Sequence, residues 1–247
     1  MKKLFTLALA VLSVATASAQ YVCTTPGATF SYRDSIFAAE KPLEIMQTNK
    51  IASVDTDKKG ILTVTVDQQQ FMADAPEMSK SQSSKAYFNP KDSTTTLVFY
   101  TAEEQKDEII ANIKQSIEAS GERPSPAEMD ELMNSISARG EISLALPQGA
   151  AVDTKLPNKS LRIGVATQNF SINLWKGKVL GYETVTLPCG TFENCIKVTY
   201  EIKMDMGQSQ KMTSTDWYAP GIGLVRQVVT YKKDEPFSST ELVSFTK

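Results

Sequence analysis

Residues 185–226 read VTLPCGTFENCIKVTYEIKMDMGQSQKMTSTDWYAPGIGLVR, and this stretch decides the fold class. Pro188 has no N–H to give a strand ladder and Gly190 tolerates a positive φ, so PCGT breaks one strand and re-aims the next. Residues 195–204 and 210–218 read as the following strands, with Gly207-Gln208-Ser209 as the turn between them. Pro220-Gly221-Ile222-Gly223 makes a second break before the strand that carries Leu224 and Val225. Trp217 and Tyr218 are adjacent in a strand and point to opposite faces, so one anchors the core while the other covers the surface. Connections this short require antiparallel neighbours.

The same grammar runs outward in both directions. Residues 29–32 begin a strand, and 61–66 form a cleaner one behind the turn cluster Asp57-Lys58-Lys59-Gly60. Residues 86–89 and 95–100 pair through Pro90-Lys91-Asp92-Ser93. Residues 143–146, 161–166 and 170–175 follow, then Lys176-Gly177-Lys178 as a hairpin turn, then 179–187, and at the end 223–231 and 237–245. Residues 73–85, polar and aperiodic, read as a mobile loop. The period changes only once. Thr101 caps a helix with Glu104 three residues on, Ile109, Ile110, Ile113 and Ile117 recur at helical spacing, and Gly121 stops it. Ser125-Pro126 opens a second helix with Met129, Leu132, Met133 and Ile136 on one stripe. The expectation is one mainly-β domain of roughly eleven strands. Twist accumulated over so many strands curls the antiparallel sheet into a half-barrel or open barrel. A helical hairpin near 102–138 packs on it.

The chain has 247 residues, 26 basic and 28 acidic groups, and no histidine. A net charge of −2 leaves no footprint for nucleic acid. Lacking histidine, it cannot build Ser-His-Asp or Cys-His sites or an HExxH zinc site. Lys2 and Lys3 precede an apolar run over 4–17, and Ala17-Ser18-Ala19 ends it in the small-x-small pattern of a signal peptide, with cleavage between Ala19 and Gln20. The run is too short to span a membrane, which takes about 20 residues. The expected mature protein, residues 20–247, is exported to the periplasm or beyond the cell. In that oxidising setting three cysteines leave one over. Cys189–Cys195 would close a short loop and stabilise by about 2 kcal/mol, whereas Cys23–Cys195 would close a long one and give about 5 kcal/mol. Local geometry favours the first and chain entropy the second.

Pro188, Gly190, Thr191, Phe192, Cys195, Lys197 and Val198, followed by Trp217, Tyr218, Gly221, Gly223, Leu224 and Val225, resemble the pattern of a TapB-like family of exported bacterial proteins of unknown function. The resemblance is strongest over residues 160–247. It implies that Cys23 and Cys195 form the inherited bridge, because family members carry a cysteine near the mature N-terminus, and that Cys189 is the spare thiol.

No constellation of catalytic type emerges. Asp55-Thr56-Asp57 begins like a calcium loop, but Lys59 and Val66 stand where oxygen ligands are needed, so a turn is the better reading. Walker, Rossmann and nucleophile-elbow motifs are missing. Asp205 and Asp216 are not singled out. Met204 and Met206 share a strand face and Met212 lies just across the turn, a soft apolar lining rather than a metal site. These readings lead to an exported, non-enzymatic envelope protein with no cofactor or metal. It binds a lipid-like ligand in the concave face of its sheet, the helix pair covering the mouth. The alternative is a module that docks an envelope protein.

Overall fold

Turn side chains set the strand lengths. In the computed structural model, Asp57 Oδ1 accepts from the N–H groups of Lys59 and Ile61 at 2.8 and 2.9 Å, and Asp92 Oδ1 accepts from Thr94 N at 3.1 Å. Such Asx contacts fix tight reversals between neighbouring strands. The structure describes residues 20–37, 42–72, 79–121, 124–205, 207–231 and 235–247. The expected signal segment, Met206 and residues 73–78 of the expected loop lie outside them.

Twelve strands follow in chain order: β1 (Thr29–Ile36), β2 (Leu43–Thr56), β3 (Leu62–Phe71), β4 (Lys80–Asn89), β5 (Thr94–Thr101), β6 (Ser137–Pro147), β7 (Lys159–Val165), β8 (Gln168–Leu187), β9 (Gly190–Asp205), β10 (Ser209–Ala219), β11 (Gly223–Thr230) and β12 (Pro236–Thr246). Each pairs antiparallel with the next, and β1 pairs with β12 from Thr29↔Thr246 to Ile36↔Ser238. The barrel is therefore closed, which corrects the expected half-barrel or open barrel. Closure has a parity reason. In an up-and-down meander every neighbour reverses, so first and last strands meet antiparallel only when the strand number is even. The Thr29 and Thr246 hydroxyls, 2.6 Å apart, hydrogen-bond across this seam.

Three further differences matter. Residues 80–85 belong to β4 rather than to a loop, and β2 is a fourteen-residue strand that the pattern did not mark. Lys176-Gly177 is no hairpin turn. Lys176 takes φ 52° inside a continuous β8, and the β8–β9 register slips between Trp175 and Lys178, so the segment is a bulge that bends one long strand.

Between β5 and β6 stand α1 (Ala102–Ser120) and α2 (Pro126–Asn134). Thr101 Oγ1 accepts from Glu104 N at 3.2 Å, and Ser125 with Glu128 forms a complete capping box. Helix α1 packs on β5, β6 and β7, and no residue of either helix is fully buried.

The first described residues, 20–28, form a strap across the barrel end where β1, β3 and β5 begin. Tyr21 N donates to Thr95 Oγ1 of β5 at 3.0 Å, while the Gln20 carbonyl accepts from Gly221 N at 2.7 Å in the β10–β11 turn. Gly27 N donates to Ile51 O of β2 at 2.8 Å. Strands β5 and β11 lie on opposite sides of the ring, so the strap spans its diameter. Gly223 at φ 112° lets the backbone pass beneath it, with Tyr21 O 3.6 Å from where a Cβ would stand.

Candidate ligand-binding cavity

Above the strap the barrel encloses a cavity of about 560 Å³ that opens at the other end. That size falls within the range of small-molecule sites, roughly 300–1,000 Å³. Tyr21, Val22, Cys23 and Ile222 form its floor. Alternation along each strand sends every second side chain inward, and the two halves of the ring differ in what they send. Ile172 and Leu174 of β8, Ile202 and Met204 of β9, Met212 of β10, Val229 of β11 and Phe237 of β12 make an apolar wall. Facing it, Gln47 and Asn49 of β2, Gln68 and Gln70 of β3, and Gln82 and Ser84 of β4 make a wall of amides.

Those amides hold one another. Gln70 Nε2 donates to Gln47 Oε1 at 3.2 Å, Gln47 Nε2 to Asn49 Oδ1 at 2.8 Å, and Gln82 Nε2 to Gln68 Oε1 at 2.8 Å. Each terminal amide can make more bonds than these, so donors and acceptors are left to face the cavity. Asp34 of β1 lies beside this wall; its Oδ1 is buried and has no hydrogen-bond partner. Burial raises its carboxyl above the ordinary carboxylate range, opposed by the Thr240 hydroxyl.

Behind the apolar side sits Asp216, fully buried. Its Oδ2 accepts from the hydroxyls of Tyr200 and Tyr218 at 2.8 and 2.9 Å, and its Oδ1 from Ser214 Oγ and Gln227 Nε2 at 2.6 and 3.0 Å. Burial pushes the carboxyl up, and the four donors oppose it. Burial first and Asp216 second hold the Tyr200 and Tyr218 phenols well above their usual range. Tyr200, Tyr218 and Gln227 line the cavity, so Asp216 fixes the orientation of three side chains that a ligand would touch. The strand pattern could not single Asp216 out, since an acid at an alternating position reads as a solvent-facing one.

The residues marked from the sequence divide among three places. Met204, Met212, Tyr218, Gly223 and Cys23 line the cavity; Met206 lies outside the described residues. Pro188 and Cys189 make the β8–β9 turn, with Gly190 opening β9, and Phe192 reaches the Phe245 ring at 5.8 Å. Gly221 sits in the β10–β11 turn over the strap. Trp217 lies on the outer face, its ring centroid 4.8 Å from Lys197 Nζ and 5.4 Å from Arg226 Cζ, its indole N–H donated to Glu183.

The expected disulfides are not formed: Cys23, Cys189 and Cys195 are free thiols. Their side chains are engaged separately. Cys189 Sγ donates to Leu242 O at 3.2 Å and Cys195 Sγ to Phe192 O at 3.3 Å. Burial pushes the Cys195 thiol up to about 11, which keeps it protonated and unreactive toward exchange.

Nor does the helix pair cover the mouth. Among the described residues none from α1 or α2 lines the cavity. Instead Ile109, Ile113, Ile117, Met129 and Leu132 meet Val165 around an open apolar groove beside the barrel. No described helix is long and apolar enough to cross a membrane.

The family known as DUF3108-like matches residues 47–242. Two solved structures are similar to this chain. One is a Bacteroides fragilis protein described as exported and of YmcC-like fold, with TM-score 0.64 and 17% identity, covering 93% of this chain and 100% of its own. The other is a Parabacteroides distasonis protein described as a lipoprotein, with TM-score 0.64 and 17% identity, covering 92% of this chain and 99% of its own. At that identity the likeness is one of fold. No curated protein matches the chain. The expected kinship with a family of unknown function thus stands under the name DUF3108-like; nothing among the matches carries the narrower name TapB-like.

Proposed function

We propose that this chain, which belongs to the DUF3108-like family, is an exported, non-enzymatic binding protein of the cell envelope that holds a single amphiphilic molecule inside its barrel. The observation that carries this reading is the two-sided cavity: about 560 Å³, floored by the strap, apolar on one wall and amide-lined on the other. A core built only for stability is filled to high density with apolar side chains. Here the lumen leaves open space, and polar side chains line part of it. The outward positions of β2 and β3 carry Glu44, Lys50 and Asp67, the face of a barrel bathed in water rather than the apolar belt of a membrane-spanning one. Export rests on the leader at 1–19 with its small-x-small end. The solved neighbours, described as exported and as a lipoprotein, agree with it.

Native mass spectrometry of protein purified from the envelope tests the reading. It should show a co-purifying ligand of lipid mass, and the intact mass should begin at Gln20. N-phenyl-1-naphthylamine, a neutral apolar probe, should fluoresce in wild type, and filling the lumen with Ile202→Trp should remove that signal. Absence of both adduct and probe binding overturns the proposal. A second reading, docking of an envelope protein, is favoured by the open groove between α1 and α2. Pull-downs that depend on Ile113 and Leu132 but not on the lumen would support it.

A further inference from the structure

We infer that the ligand's head group is uncharged and rich in hydroxyls, as in a sugar-headed amphiphile, and that the amide wall with Asp34 selects it. This inference rests on the reading of the lumen as an amphiphile site and adds to it the chemical class of the head.

The argument begins with what the polar wall lacks. An anionic head needs a cation or a nest of N–H groups to replace its water. Among the described residues lining the cavity the one cation is Lys85, which is exposed. Its neighbours Ser84 and Ala86 hold the inward-facing register, so Lys85 is not among the side chains that alternation sends into the lumen. What faces the cavity instead is a carboxyl, Asp34, which would repel a carboxylate or phosphate. Amides are different. Gln47, Gln68, Gln70 and Gln82 each present both a donor and an acceptor, and their mutual bonds at 2.8–3.2 Å hold them in fixed orientations. A hydroxyl also donates and accepts, so a polyhydroxylated ring can satisfy such a wall with nothing left unpaired. Asp34, which lines the cavity beside these amides and accepts from the Thr240 hydroxyl, adds an acceptor group to the polar wall and no donor to it. The opposite wall then receives the tail along Ile172, Ile202 and Met204.

Competition on wild-type protein tests this. Octyl glucoside, octanoate, octyl phosphate and octylamine share one tail and differ in the head. Each is titrated, below its micelle concentration, against bound N-phenyl-1-naphthylamine. The expected result is displacement by octyl glucoside at a concentration at least ten-fold lower than by the two anions. Gln68→Leu and Asp34→Leu should each erase most of that preference, so that octyl glucoside and octanoate displace the probe at concentrations within about three-fold of each other. Equal or better displacement by octanoate or octyl phosphate overturns the head-group inference and leaves the cavity reading standing. Best displacement by octylamine also overturns it, since Asp34 would then act as a counter-ion. Failure of the probe and of all four amphiphiles removes the underlying reading itself.

Discussion

Asp216 is held by four hydrogen bonds where water does not reach, and each donor is then a potential orphan. Asp216→Ala would leave them without an acceptor, at about 3 kcal/mol by the usual cost of unsatisfied buried groups. Asp216→Asn keeps the shape, and the phenol lone pairs of Tyr200 and Tyr218 can accept from its amide, so it should cost about 1 kcal/mol. Urea unfolding monitored by tryptophan fluorescence separates the two. The pH dependence has a definite sign. Burial raises the folded-state carboxyls of Asp216 and Asp34. An acid with a raised folded pKa stabilises fully below its unfolded value, and that contribution fades as pH climbs through the folded one. Stability should therefore decline as pH rises from about 4 toward neutrality, and Asp216→Asn should flatten the decline. An Asn variant with an unchanged slope would show that Asp216 titrates alike in both states. Nothing in the strand pattern foretold this residue, because two of its four donors, Tyr200 and Gln227, reach it from the neighbouring strands β9 and β11.

At the scale of elements, turns were legible and faces were not. Asp57 to Gly60 reads as a reversal from its side chains alone, and the capping residues Thr101 and Ser125 mark the helices for the same local reason. Strand β2 and the first half of β4, residues 80–85, escaped because alternation between two polar sets looks like no alternation: Gln82 and Ser84 face inward while Ser83 faces out. The amide wall was invisible for that reason, whereas Met204 and Met212 stood out against a polar background. The strap makes its own prediction. Thr95→Val removes the acceptor for Tyr21 N without changing volume, so a buried N–H is orphaned at about 1–3 kcal/mol. Thr95→Ser should restore most of the loss in the same urea titration. Equal stability of the Val variant and wild type would mean that the strap is not anchored there.

For the whole molecule, ring closure is the property that no single segment announces. An even count makes the closing β1–β12 pair antiparallel like every other, while closure itself depends on twist and register summed over all twelve strands. A closed ring has no free edge, so β1 and β12 should be as protected from hydrogen exchange as β9 in the middle of the chain. Fast exchange confined to β1 and β12 would argue that the seam from Thr29↔Thr246 to Ile36↔Ser238 opens in solution. Truncation after Thr230 should expose two edges at once and convert a monodisperse protein into aggregates on size-exclusion chromatography.

The strap also imposes an order in time. Gln20 finds its partner only when Gly221 arrives, after ten strands have been made, and β1 finds β12 later still. The first described stretch is thus among the last to settle. A growing chain has no floor and no seam to complete, and so stays slack until its final strand emerges. Under the export proposed above, with the chain threaded through a pore before it folds, such late fastening is an advantage: the same contacts that seal the finished vessel cannot seal it too soon.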